Sequence, residues 1–292
     1  MKLISFREGA RVAVGALTED GQTVVDLGRA EPRLDIDMIA LLEGGEDALG
    51  LVRQAVDRAS SATRSPLSSV SLAAPVPRPG KIICVGLNYR EHAAETGIPL
   101  PDYPNVFAKF ANTVIGPQEP IVIPAVTDQV DYEGELGVVI GARVRELPPS
   151  RALASVAGYL AFNDVTAREY QSRVSQWTLG KSFDTFAPMG PALVTADEVE
   201  DPQDLDLKVR IGDEVLQSAN TGDMIFSVAE LIAYVTSAMT LEPGDVIATG
   251  TPSGVGVART PPRWLRAGEV VEVELSGVGR LENPVVGPLK YV

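Results

Sequence analysis

The hydrophobic positions of this chain recur mostly with a period of two. Residues 132–140 show it most plainly. Tyr132, Leu136, Val138 and Ile140 fall on one side of an extended backbone, and Glu133, Glu135, Gly137 and Val139 on the other. Short runs at 81–85, 106–110, 121–123, 156–163, 192–195, 207–211, 215–218, 245–249, 270–275 and 280–285 predict further strands. Their irregular spacing and the shortage of long helices argue for a β-rich core rather than alternating βαβ units. The clearest helix is 227–239, where Ser227 and Glu230 make a Ser-x-x-Glu capping box ahead of an apolar face. Asn88 with Glu91 offers a similar cap for a helix carrying His92.

The first 72 residues read as a smaller α+β unit. Strands are predicted at 2–6, 11–17 and 23–27, with a turn at Glu19-Asp20-Gly21. Helical spacing follows at 37–42 and 46–59, broken by Gly44-Gly45. Pro75, Pro77 and Pro79 then fall within five residues, which no helix or central strand accepts. The expected organisation is therefore a small N-terminal domain (1–72), a Pro-rich linker (73–80) and a larger domain (81–292), the whole being α+β and β-rich. There is no internal repeat or low-complexity segment.

Composition narrows the partners. The chain has 292 residues, 45% of them hydrophobic and 22% charged, as in ordinary globular proteins. A formal net charge of −14 argues against nucleic acid, which needs clustered Lys and Arg. It leaves room for a small anionic substrate bound by a few local cations. The one cysteine, Cys84, excludes an internal disulfide and reads as a buried strand residue. No apolar run reaches the ~18 residues of a membrane span. The N-terminus lacks a signal-peptide core. The expectation is a cytoplasmic protein.

Candidate chemistry starts with the single histidine, His92. Glu95 follows three residues later, on the same face of a helix and within hydrogen-bonding reach. A His-Glu pair makes a general base that works near neutral pH. Far downstream, Glu133 and Glu135 share a strand face. Buried together they repel, and a divalent cation between them removes the repulsion. A bare Glu-x-Glu is also compatible with a solvated strand face, but Gly134, Gly137 and the apolar surroundings weaken that reading. Asp164 ends an apolar strand. It serves either as the N-cap of a helix over 167–174 or as a third oxygen ligand. Three carboxylates suit Mg²⁺ or Mn²⁺, whereas one Cys and one His exclude a zinc set of the usual spacing. Arg168 and Gln171 follow Asp164 by four and seven residues, on one helix face with it. Lys109 and Lys181 are charges inside apolar runs, either plain surface lysines or members of a site. The loop 249–256 is Gly-rich but has neither Walker nor dinucleotide spacing, and alone it reads as a turn.

Together these segments resemble the catalytic domain of the fumarylacetoacetate hydrolase family, over residues 81 to about 285. The motifs, in the family's order, are Gly86-x-Asn88-Tyr89-x-x-His92-x-x-Glu95, Asp131-Tyr132-Glu133-x-Glu135-Leu136 and Asn163-Asp164-x-Thr166-Ala167-Arg168-x-x-Gln171. They continue with Trp177-Thr178-x-x-Lys181-Ser182-Phe183, Asn220-Thr221-x-x-Met224-Ile225-Phe226 and Thr249-Gly250-Thr251-Pro252-x-Gly254-Val255-Gly256. Three features depart from the pattern: Arg168-Glu169 for the commoner Arg-Asp, Lys109-Phe110 for Lys-Pro, and a shorter segment from 164 to 181.

The resemblance implies a mixed β-sandwich roll and a homodimer. It implies Glu133, Glu135 and Asp164 as ligands of Mg²⁺ or Mn²⁺, and His92 with Glu95 as the base pair on a lid. It implies Lys181 as a catalytic cation, and Arg168, Gln171, Lys109 and Thr251 as substrate-facing. The implied activity is hydrolysis of a C–C bond in 2,4-dioxo acids, of acylpyruvate, fumarylpyruvate or 3-deoxy sugar-acid type. His92 would deprotonate water, and the enolate charge would sit at the metal site. The same site also suits oxaloacetate decarboxylation or a keto–enol shift. The non-enzyme alternative is a β-rich protein holding a structural metal, which explains the acids but not the His92–Glu95 pair.

Overall fold

A computed structural model describes residues 1–9 and 11–289. Ala10 and residues 290–292, the end of the expected catalytic domain, lie outside the described residues. The main element is a 12-stranded sheet. Its order is Arg64–Pro66, Thr23–Asp26, Arg11–Leu17, Lys2–Glu8, Ala187–Thr195, Val156–Asn163, Gly134–Ile140, Val246–Ala248, Ile82–Gly86 and Asn105–Lys109, with two short strands off this path. Along that path the strand Val246–Ala248 runs parallel to Ile82–Gly86. A 5-stranded sheet joins Glu214–Asn220, Asp206–Ile211, Val270–Leu275, Gly279–Val286 and Ile121–Val122.

The strand Gly134–Ile140 is buried at every residue because both its faces are covered. Leu136, Val138 and Ile140 pack with Val209, Val271, Val273 and Leu281 of the 5-stranded sheet. On the opposite face Val139, Leu160 and Phe162 share a core with Leu41 and Leu42 of the helix Met38–Glu43, and with Val52 of Gly45–Arg58. The result is three layers: helices, central sheet and second sheet. The strand pattern predicted this β-rich α+β core, and the family resemblance implied its sandwich form. The sheets approach closely at Gly134, where a Cβ would come within 2.3 Å of Val209 Cγ2.

Elements with strong patterns fall where they were predicted. The strands Val156–Asn163 and Val270–Leu275 have the expected bounds. The helix Val228–Ala238 carries both bonds of its capping box. Two readings need correction. The strand predicted at 192–195 runs over Ala187–Thr195, because Gly190 and Pro191 are accommodated where the pairing with Val156–Asn163 slips register. Asn88 does not cap the His92 helix. Its side chain turns inward and donates to the carbonyls of Phe226 and Thr249 at 3.0 and 2.7 Å.

The N-terminal strands are a wing of the same sheet, with Lys2 pairing opposite Val194. Residues 73–76 are buried, and the Ser5 hydroxyl donates to the Pro75 carbonyl at 2.8 Å. Cys84 is buried on its strand, and burial pushes its thiol pKa well up, which does not suit a nucleophile. No helix among the described residues is long and apolar enough to cross a membrane.

Candidate active site

Strand register builds the floor of the site. Gly134 pairs with Asn163 and Glu135 with Phe162. Glu133 and Asp164, just beyond that ladder, therefore meet at one end of it. The Asp164 N–H donates to the Glu133 carbonyl at 2.8 Å, and the Glu133 N–H to Asn163 Oδ1 at 3.0 Å. Carboxylate oxygens of Glu133, Glu135 and Asp164 lie within 4.8 Å of one another, and all three residues are buried. The helix Arg168–Ser172 has Ala167 at its N-cap, so Asp164 is free of any capping role.

Three cations surround these acids. Lys181, at the end of the short helix Thr178–Lys181, donates to Glu133 Oε2 and Asp164 Oδ2, each at 2.7 Å. Lys109 donates to Asp164 Oδ1 at 2.5 Å and to the Val165 carbonyl at 3.0 Å. Arg168 pairs with Glu133 Oε1 at 2.7 Å and with Asp131 Oδ2 at 2.8 Å. Neither lysine is the plain surface residue that one reading allowed, since both are buried.

The charges do not balance evenly. Burial pushes the Glu133 carboxyl up, but the Lys181 and Arg168 charges outweigh it and hold the pKa at about 2. Burial works against the Lys181 ammonium, yet Asp164 and Glu133 hold its pKa above the ordinary lysine value. For Lys109 burial wins over Asp164, and its pKa is lowered. Glu135 has no ion pair among the described residues. Its Oε2 accepts the Gly250 N–H at 2.8 Å, while burial and the charges of Asp164 and Glu133 push its pKa well up. Four carboxylates, counting Asp131, thus face three cations, and Glu135 is the one left uncompensated. An all-oxygen donor set with an uncompensated carboxylate fits a hard divalent cation.

Over this floor lies the helix Arg90–Thr96. His92 Nδ1 is 3.1 Å from Glu95 Oε2, as the i,i+3 spacing predicts. Glu95 Oε1 also accepts the Gly254 N–H at 3.0 Å, and the Ser253 hydroxyl donates to Glu91 Oε2 at 3.3 Å. The helix is thereby docked on the Gly-rich loop 249–256.

A cavity of about 430 Å³ lies between lid and floor. His92, Glu133, Arg168, Gln171, Lys181 and Thr251 line it, with Leu87, Ile98, Phe107, Trp177 and Val257 as apolar walls. Of the residues expected to face substrate, Arg168 and Gln171 do, joined by an Nη1–Oε1 bond of 3.0 Å. Thr251 also reaches the cavity, but its hydroxyl donates to the Gly134 carbonyl at 2.9 Å and accepts from Gln217 at 2.8 Å. Lys109 is the exception. It lies behind Asp164, off the cavity lining, because its strand ends beneath the acids. Sequence reasoning gave no role to Asp131, Gln217 or Trp177. For Asp131 a signal was present, a further acid two residues ahead of Glu133 in the motif Asp131-Tyr132-Glu133-x-Glu135.

A family model described as "Fumarylacetoacetate (FAA) hydrolase C-terminal" matches residues 81–286. The chain belongs to the fumarylacetoacetate hydrolase family. It is 44% identical over 290 residues to the mitochondrial oxaloacetate tautomerase FAHD2A of Bos taurus, covering 98% of this chain and 92% of that protein. Among solved structures it resembles the fumarylacetoacetate hydrolase of Exiguobacterium antarcticum, with TM-score 0.85, 36% identity, and 98% and 99% of the two chains covered. It also resembles the maleylpyruvate hydrolase of Sphingobium sp. SYK-6, described in complex with manganese(II) and pyruvate. That match has TM-score 0.83, 33% identity, and covers 99% of this chain and 100% of the other. The family match leaves out the first 80 residues, whereas these relatives share them, so the N-terminal wing is common to this branch.

Proposed function

We propose that this family member is a divalent-cation-dependent enzyme that interconverts the keto and enol forms of oxaloacetate. The observation that carries the reading is geometric: one cavity is lined by the His92 imidazole and by Glu133, the member of the buried three-carboxylate cluster that reaches it, and that cluster suits Mg²⁺ or Mn²⁺. The FAHD2A likeness supports oxaloacetate as the substrate.

Keto–enol exchange takes a proton from C3 and places one on the 2-oxygen, with no water consumed. The pairing with Glu95 assigns the His92 proton to Nδ1 and leaves the Nε2 lone pair for C3. Glu95 stabilises the imidazolium that forms, which then returns its proton to oxygen. Glu133, Glu135 and Asp164 would hold the cation, which when bound supplies positive charge where the 2-oxygen becomes negative. Lys181 stays charged between Glu133 and Asp164, so it acts by its fixed charge rather than as a base. Arg168 and Gln171 present donors to a substrate carboxylate. Lys109 is assigned to holding Asp164.

C–C hydrolysis of a 2,4-dioxo acid is the second reading, favoured by the likeness to maleylpyruvate hydrolase. It uses the same residues, with His92 taking its proton from water. The test follows enol absorbance and pyruvate together. Enol–keto relaxation of oxaloacetate that His92→Ala abolishes supports the tautomerase. Pyruvate release from an acylpyruvate, without acceleration of oxaloacetate, would overturn it in favour of hydrolysis.

A further inference from the structure

We propose that Asp131 is a positioning residue, setting both Arg168 and the His92–Glu95 pair from one buried carboxylate. The proposal rests on the reading that Arg168 and His92 act on the substrate. Asp131 is wholly buried, and it is not one of the three clustered acids of the floor. Its Oδ2 accepts from Arg168 Nε at 2.8 Å and from the Val257 N–H at 3.0 Å. Its Oδ1 accepts from the N–H groups of Tyr132 and Gly256, each at 2.8 Å. One carboxylate thereby fixes the guanidinium on one side and the loop at 256–257 on the other.

That loop is also where the lid rests. The Gly254 N–H donates to Glu95 Oε1 at 3.0 Å, and Glu95 Oε2 meets His92 Nδ1 at 3.1 Å. The Gly254 carbonyl accepts the Tyr132 hydroxyl at 3.0 Å, a second tie from the same short segment. Gly256 is required for the approach, because a Cβ there would come within 2.5 Å of Asp131 Oδ1 and 1.9 Å of the Arg263 carbonyl. A continuous path of charge-assisted bonds thus runs from Arg168 through Asp131 and the loop to Glu95 and His92. Shifting the carboxylate moves the anion-binding group and the base together. A misplacement of 1 Å costs on the order of 10²-fold in rate.

The test uses the full chain loaded with Mn²⁺. Asp131→Asn keeps the shape and removes the charge. It should bind Mn²⁺ as wild type does by calorimetry, lower kcat on the order of 10²-fold and raise KM about tenfold. Glu95→Gln should lower kcat alone. If Asp131 acts through Glu95, the double variant's kcat stays within about threefold of the lower single variant. Losses that multiply mean a merely structural role and overturn the proposal, as does loss of Mn²⁺ binding in Asp131→Asn. Should Asp131→Asn not fold, Tyr132→Phe loosens the same loop on the lid side only. It should lower kcat several-fold, roughly 3 to 10, with KM unchanged, and an unchanged kcat overturns the proposal. If wild type turns over neither oxaloacetate nor an acylpyruvate, the functional reading fails and the coupling is read by amide hydrogen exchange. Asp131→Asn (or Tyr132→Phe) should then speed exchange at 254–257 and at 90–96. Faster exchange at 254–257 alone overturns the coupling.

Discussion

Glu133, Glu135 and Asp164 are fixed by the ladder of a central sheet, whereas His92 and Glu95 ride on a seven-residue helix held by a few contacts. The floor is buried, and most of its charge is compensated by Lys109, Lys181 and Arg168. A helix as short as the lid is marginal on its own and depends on docking. Beyond it Ile98, Leu100 and Tyr103 are exposed, with Tyr103 stacked on Tyr234 at 6.3 Å. The difference teaches a division of labour. The buried part holds charge that would repel if it moved, and on the proposed function the docked helix carries the proton-transfer group where substrate enters.

The largest effect should come from breaking the floor. Asp164→Ala leaves Lys109 without its carboxylate partner and Lys181 with only Glu133. Removing one member of a buried pair costs about 3–5 kcal/mol. Denaturant unfolding should show that loss, and calorimetry the loss of Mn²⁺ binding. Wild-type stability would show that these charges do not hold the floor together.

Breaking the lid should look different. His92→Ala should lower kcat by roughly 10²–10⁴-fold, with Mn²⁺ affinity and the unfolding midpoint kept. A fall in Mn²⁺ affinity as large as the fall in rate would erase the distinction between floor and lid.

The uncompensated charge on Glu135 sharpens the comparison through pH. Its folded pKa lies above the usual glutamate value of 4.5. Protonation therefore favours the fold, and the chelated protein should lose stability as pH rises above that value. Glu133 has the opposite sign, its contribution being lost only as pH falls toward about 2. Chelated Glu135→Gln should thus melt higher than chelated wild type at about pH 8, with the gap closing near pH 4. A gap that does not depend on pH would contradict this assignment of charge.

The smallest perturbation is a protease at low dose. First cleavage should fall at 98–103, beside the lid, because residues 73–76 are buried under the N-terminal wing. Cutting first at 73–80 would restore the separate N-terminal domain that the prolines suggested.

The same division governs what could be read from sequence. Period-two alternation exposed the strand carrying Glu135, and i,i+3 spacing exposed the His92–Glu95 pair, because both patterns are local. The meeting of Asp164 with Glu133 depends on antiparallel register across thirty residues, so local pattern left Asp164 between a helix cap and a third ligand, and the family resemblance favoured the ligand. Lys109 looked anomalous in its strand, but which side of Asp164 it takes is set by the sheet edge, which no spacing reports. The three prolines are genuine breaks in secondary structure. Their packing beside the Lys2–Glu8 strand is nonlocal, so sequence alone does not report it.

The most direct measurement is the decay of oxaloacetate enol absorbance with wild type and His92→Ala, each with Mn²⁺ and with chelator. The account predicts fast decay only for wild type with Mn²⁺, with no pyruvate formed. Equal decay in His92→Ala, or decay that chelation leaves untouched, would contradict it.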